Sequence, residues 1–462
     1  MLLAMHYILL GLYIGLPPVT VLVLVRVARR TKSYLPLLSF IVSGAAALVL
    51  ASFVVVLNQA AFGGRADLPE FGRIAWLVLA ALCFIRWVDW GLSRLICRLF
   101  ARGDKTSGQG GWVRGLLLVQ RGMVILAGLI WLSAMFLVVR PKLDHTGEGN
   151  PFTRLGLPFE QIELAASDGV ALAGWWIPAA TPSDRTVILV PGVGLGRHSF
   201  LGTVDPGTRM PRERGLIEAL HHAGCNVLVF DPRGQGDSGG WVSSAGGLEN
   251  YDVIGAVRWV REHRPAQSKA LYALGINSGA AAVVMATANG GDEAQAIRGI
   301  VLYEPFASLD GVIRSNAQRL PRPLQPLWGH LVAPIASAHA GSNLAGFTPA
   351  DAAGRLWGKR CLVIHGRDQT FVPIGQEMSF YQSVSCLKAQ FWPSDNYLAR
   401  RAQVERLASM KPLNAVLEES SMQLRDLSGS GEGGMLNDYG AQEQVLRFLR
   451  VLDDQDTPAY VL

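Results

Sequence analysis

Ala270-Leu271-Tyr272-Ala273-Leu274-Gly275-Ile276-Asn277-Ser278-Gly279-Ala280-Ala281-Ala282-Val283 opens as a short apolar run and closes as an Ala-rich one. The first half reads as a buried strand and the second as a helix. Between them lies Gly275-x-Asn277-x-Gly279, one polar residue flanked by small ones. This is the pattern of a strand-to-helix elbow, in which the middle side chain is held out on a strained turn that tolerates only small neighbours. In an enzyme built on such an elbow the middle residue is the nucleophile, normally Ser. An Asn amide has no ionisable group with which to attack a carbonyl. Sliding the register by one puts Ser278 at the tip, but then the branched side chain of Ile276 stands where the turn wants a small residue. The sequence therefore places Asn277 at the tip and Ser278 at the start of the helix.

Outward from this stretch the chain divides by composition. Of its 462 residues half are hydrophobic and 17% are charged, and its net charge is +6. The mean hydropathy of +0.26 points to membrane segments. No basic stripe interleaves with aromatics, so nucleic acid is not an expected partner. The positive charge reads as topogenic Lys and Arg beside membrane helices. The five cysteines form no Cys-x-x-Cys pair and no zinc-spaced cluster, so neither a metal nor a cofactor is expected. Cys225 and Cys361 begin apolar runs and read as small core residues.

Four apolar segments come first, at Tyr7–Val25, Leu35–Leu57, Ile74–Leu92 and Gly115–Val139. Each approaches the roughly 20 residues a helix needs to span hydrocarbon. Pro17-Pro18 predicts a kink in the first. Lys and Arg crowd the connections after the first and third segments, at Arg26, Arg29, Arg30 and Lys32, and at Arg94, Arg98, Arg102, Lys105 and Arg114. The positive-inside rule then places the N-terminus and the C-terminal part on the outer side of a plasma or inner membrane. Arg86 and Asp89 share a helix face. They read as a functional intramembrane pair, or, if the helix leaves the bilayer near Ile85, as interfacial charges beside Trp87 and Trp90. Gln120-Arg121 reads as snorkelling toward the inner face.

After a linker at 140–158, rich in Pro, Gly and polar residues, the pattern becomes α/β. Strands are predicted at Gln161–Ala166, Val170–Ile177, Thr186–Val190, Asn226–Phe230, Ala270–Leu274, Ile300–Tyr303, Cys361–Ile364 and Ala389–Trp392. Helices are predicted at Arg214–Ala223, Gly247–Glu262, Gly279–Ala288 and Gln442–Leu452. Short apolar strands alternating with helices imply a mostly parallel sheet with helices on both faces.

Four motifs then follow in order: Pro191-Gly192-Val193-Gly194 after a strand, Asp231-Pro232-Arg233-Gly234-Gln235-Gly236-Asp237-Ser238, the elbow, and His365-Gly366-Arg367-Asp368 with Val372-Pro373. Residues 159–462 thus resemble the α/β-hydrolase superfamily of serine-hydrolase type. The membrane part, 1–139, lies outside the resemblance. The likeness implies an α/β-hydrolase fold, which the four apolar segments precede as an expected all-α four-helix transmembrane region. It also implies a cap insertion at about 305–356 and a second insertion at about 397–434.

The resemblance further implies a triad in the order Ser, Asp, His, and an oxyanion hole of backbone N–H groups. The nucleophile position is Asn277. The acid position is Gln369, which carries no charge; Asp368 is adjacent, and Glu304 lies after the preceding strand, where some relatives place the acid. The base belongs on the loop before the last helix, where alternative alignments give Tyr397 or Gly434. Of the nine histidines none follows His365. Val193 and Ser278 still offer backbone N–H groups to an oxyanion hole. Asp231, Arg233 and Asp237 are expected to tie together the loop beneath the site.

Two functions of different class follow. One is a membrane-anchored pseudohydrolase, a binding or scaffolding protein whose pocket takes a small acyl or ester-like ligand without turnover. The other is an active serine hydrolase of esterase, lipase or acyl-peptidase type, with Ser278, a base borrowed from the cap (His330 or His339), and Asp368 or Glu304. A third assigns the main role to the helices, in signalling or lipid handling. The lipid bilayer is an expected partner throughout.

Overall fold

The structure is a computed structural model. It describes residues 2–31, 40–52 apart from 42, 44 and 46, 68–100, 110–139, 149–202, 215–364, 372–391 and 439–453. These fall into two compact units. One comprises residues 1–60, 66–141 and 330–343, and the other the remainder.

The helical unit contains α1 (Leu2–Thr31), α2 (Leu68–Phe100) and α3 (Gly110–Val138). Residues 47–52 are also helical; the rest of the expected second span lies largely outside the described residues. Among the described residues two stretches are long and apolar enough to cross a membrane, Phe71–Cys97 and Gly115–Val138, and a shorter apolar one runs over Ile14–Val27. The first helix continues through Pro17 and Pro18. Several polar side chains among the described residues of the unit are paired across helices, as apolar surroundings favour. Trp87 Nε1 donates to Thr20 Oγ1 at 2.9 Å. Gln120, expected to snorkel, is instead buried: its Nε2 donates to Asp89 Oδ1 at 3.0 Å, and its Oε1 accepts from Ser93 Oγ at 3.1 Å. A partner 31 residues away on another helix draws the amide inward, which sequence spacing on one helix cannot register. Arg94 lies over the Trp90 ring at 4.1 Å.

The second unit is built on one eight-stranded sheet. Its strands are β1 (Glu160–Ala165), β2 (Ala171–Ile177), β3 (Arg185–Val190), β4 (Asn226–Phe230), β5 (Ala270–Ile276), β6 (Ile297–Tyr303), β7 (Arg360–Ile364) and β8 (Leu387–Phe391). Their order across the sheet is β1-β2-β4-β3-β5-β6-β7-β8. β1 and β2 pair antiparallel, as does β2 with β4, and all later pairings are parallel. Helices cover both faces, so the parallel strands are apolar in both phases of their alternation. On one face Val187, Leu189, Tyr272 and Leu274 pack with Val445 and Phe448 of the last helix, Tyr439–Asp453. On the other Ile188, Val190, Ala273 and Leu302 meet Val253 and Val257 of α5 (Asn250–His263) and Ala280 and Val283 of α6 (Ser278–Asn289), with α4 (Leu216–His222) packed on the first face. Cys225 and Cys361 are buried core residues.

Between β6 and β7 the chain forms α7 (Leu309–Ala317), α8 (Gln325–Ala340) and α9 (Pro349–Ala353). Residues 330–343, the greater part of α8 and the turn after it, belong to the helical unit.

Candidate active site

β5 runs to Ile276, and α6 begins at Ser278, with Asn277 as its N-cap. Asn277 has φ 51° and ψ −111°. Among the described residues the non-glycine positions with positive φ are Ala245, Asn277 and Glu304. Such a conformation is strained and persists only where packing enforces it. The enforcement here is steric. A Cβ on Gly275 would stand 2.4 Å from the Gly279 carbonyl oxygen, and one on Gly279 would stand 2.3 Å from that of Val190. The Asn277 N–H donates to the Tyr303 carbonyl at 2.7 Å, tying the tip to the end of β6. The elbow is therefore real, Asn277 is at its tip, and Ser278 is the first residue of the helix.

Of the two expected oxyanion-hole donors, the Val193 N–H is engaged by one of the chain's own side chains, as is the neighbouring Gly194 N–H. The Val193 N–H donates to Ser278 Oγ at 2.7 Å, and the Gly194 N–H donates to Gln235 Oε1 at 2.6 Å. A hydroxyl thus sits where a developing oxyanion would seek the Val193 donor.

Beneath the site, Asp231 accepts from the Arg197 N–H at 2.8 Å and the Asp237 N–H at 3.1 Å. Arg197 also pairs with Asp237 and lies 4.8 Å from the Trp175 ring centre. Burial pushes the Asp231 carboxyl above its usual range, with Arg197 pulling it back. Arg233 donates through Nε to Asp252 Oδ1 at 2.8 Å and through both terminal nitrogens to Asp168 at 2.7 Å. Burial works against the Arg233 charge, but these two carboxylates more than offset it and hold the guanidinium above its ordinary range. Asp252, wholly buried, is pushed up to about 7 by burial, against the opposing pull of Arg233. Asp231, Arg233 and Asp237 thus have the tying role expected of them. Asp168 and Asp252 were missed: one lies in what reads only as a hairpin turn, the other as an ordinary helix residue. The one available signal was an acid on the apolar face of α5.

Glu304 follows β6 with φ 51°, is fully buried, and its N–H donates to the Ile364 carbonyl at 2.8 Å. Register places it beside the elbow, since Ile276 pairs with Tyr303. Asp368, Gln369, Tyr397 and Gly434 lie outside the described residues, as does His365. His339 is committed elsewhere. Its Nε2 accepts from Trp131 Nε1 at 3.0 Å, so its Nδ1 carries the proton and donates to the Ile335 carbonyl at 2.8 Å. Neither ring nitrogen is left to take a proton from a serine, which corrects the expectation that His339 can serve as a base.

No family model matches the chain. The uncharacterized protein YfhR of Escherichia coli strain K12 is 31% identical over 150 residues, which cover 32% of this chain and 48% of that protein. The α/β-hydrolase domain-containing protein WAV2 of Arabidopsis thaliana is 28% identical over 192 residues, covering 41% of this chain and 57% of that one. The chain thus spans about half the length of the curated relatives it matches. A solved esterase of Pyrococcus furiosus aligns with a TM-score of 0.43 at 23% identity, covering 58% of this chain and 95% of that chain. The second unit is thus an α/β fold on a mostly parallel sheet, and WAV2, one of the proteins it is similar to, is named for an α/β-hydrolase domain.

Proposed function

We propose that this chain is a membrane-anchored pseudohydrolase, a binding or scaffolding protein that keeps an α/β-hydrolase architecture without its chemistry. The observation that carries this reading is the elbow itself, with Asn277 at the strained tip and the Ser278 hydroxyl holding the Val193 N–H. A triad lacking its nucleophile retains only the contribution of the oxyanion hole and of binding, and here one donor of the hole is held by the Ser278 hydroxyl. Full-length protein in detergent is expected to hydrolyse p-nitrophenyl butyrate no faster than its heat-denatured control, with Asn277→Ala and Ser278→Ala indistinguishable from it. Saturable turnover lost in Ser278→Ala supports the alternative of a serine hydrolase with a rearranged site.

The two long apolar helices and the distribution of Lys and Arg support membrane anchoring with the hydrolase-like unit on the extracytoplasmic side. An alkaline phosphatase fused after Val139 is expected to be active, and a green fluorescent protein fused there dark. The reverse pattern places the unit in the cytoplasm.

A further inference from the structure

The helical unit encloses a cavity of about 690 Å³ between α2, α3 and the 330–343 segment. Phe84, Ile85, Val124, Trp131 and Ile335 form apolar walls. Gly128 also lines it, and a Cβ there would meet Ile85 Cδ1 at 2.5 Å. Gln120 stands toward one end and His339 toward the other. On α3, Gln120 and Trp131 are separated by about 16 Å of helix rise. Both polar groups are engaged with protein. Gln120 bonds Asp89 and Ser93, and His339 bonds Trp131 and Ile335. A cavity whose polar groups are satisfied and whose walls are apolar is a poor host for water or a polar solute. Its size lies within the range of small-ligand sites. Ile8 and Met123 line it and are also 63% and 59% exposed, so it opens through the apolar flank of the unit. Leu118, Val119, Ile125 and Leu129 are further exposed apolar residues of α3, bathed in hydrocarbon rather than water if these helices span.

From this we propose that the cavity is an acyl-chain site, holding one hydrocarbon chain of a phospholipid or a free fatty acid. The inference rests on the membrane placement proposed above. One wall comes from α8, whose residues 330–343 belong to the helical unit although the helix lies between β6 and β7 in the chain.

The test uses the full chain in phosphatidylcholine–phosphatidylglycerol vesicles. One arm carries a diazirine on the phospholipid acyl chain, and the other adds diazirine-bearing palmitic acid. After irradiation, adducts are mapped by peptide mass spectrometry. They are expected to concentrate on Val124 and Ile335, and the arm that labels identifies the source. Ala127 lines the cavity yet is exposed, so Ala127→Trp fills the mouth without entering the core. It is expected to lower the cavity adducts at least tenfold and to leave those on Leu118 and Val119 unchanged. Leu129→Trp, outside the cavity, is expected to change neither. Excess unlabelled palmitic acid is expected to suppress the cavity adducts selectively, a readout that needs no variant. Adducts spread evenly over the outward residues, or cavity adducts insensitive to both Ala127→Trp and competitor, overturn the site. Carbonate extraction reads the membrane placement separately. A chain that stays with the vesicles but lacks cavity adducts refutes the site alone, whereas a chain released to the supernatant refutes both.

Discussion

Arg233→Met is expected to destabilise the hydrolase-like unit by about 3–5 kcal/mol, the usual cost of removing one partner from a buried ion pair. The Arg233 guanidinium bridges Asp168 and Asp252, and the Asp252 side chain is wholly inaccessible to solvent. Without Arg233 the Asp252 carboxylate has no counter-charge in a medium that penalises charge. The penalty should depend on pH. Asp252 is raised to about 7 in the folded chain, against about 3.9 unfolded, so between these values the folded state keeps a proton that the unfolded state releases. By linkage this group's contribution is fully present below about pH 4 and is lost as pH rises through about 7. Removing Arg233 lifts the carboxyl further, so the variant's deficit should be smaller at pH 5 than at pH 8. Thermal melts of both proteins at the two pH values check it; a deficit independent of pH shows that Asp252 stays neutral throughout. The double variant Arg233→Met with Asp252→Leu should recover much of the loss, because no charge is then stranded.

Gly279→Ala is the second large effect. The new Cβ would fall 2.3 Å from the Val190 carbonyl oxygen and 2.5 Å from that of Pro191, both backbone atoms that no rotamer change can move. A loss at the upper end of the roughly 1–3 kcal/mol typical of overpacking is expected, through separation of the elbow from the end of β3. Gly156→Ala is the instructive control. Its φ is +66°, but no atom lies within 4 Å of the added methyl, so only the left-handed backbone term of about 1–2 kcal/mol applies. Thermal melts that rank Gly156→Ala as the more damaging would mean the elbow is looser than described.

Local signals carried most of the architecture. The strand predictions hold because parallel strands buried on both faces are continuous apolar runs. The sequence puts the start of β6 at Ile300 rather than Ile297, because Arg298 and Gly299 interrupt that run. The helix predicted from Gly247 begins at Asn250, since Glu249 accepts from Ser243, Ser244 and the Gly246 N–H, holding the preceding turn outside the helix. The elbow was legible because its constraint is local: two glycines and a polar tip within five residues. What escaped detection depends on partners distant in sequence. Asp168 meets Arg233 across 65 residues, and Trp131 meets His339 across 208. Neither spacing has a periodicity to betray it. The inclusion of 330–343 in the helical unit escaped for the same reason, since an apolar helix after β6 reads equally as a cover for a crevice.

Covalent labelling of the elbow puts the central claim to its most direct test. Membranes bearing the full chain are treated with a fluorophosphonate probe, and the peptide containing residues 277 and 278 is examined by mass spectrometry. An Asn at the tip and a serine hydroxyl engaged by Val193 predict an unmodified peptide under conditions that label an active esterase added as a standard. A phosphonyl adduct on Ser278, abolished by Ser278→Ala, would show that the chain retains a working nucleophile.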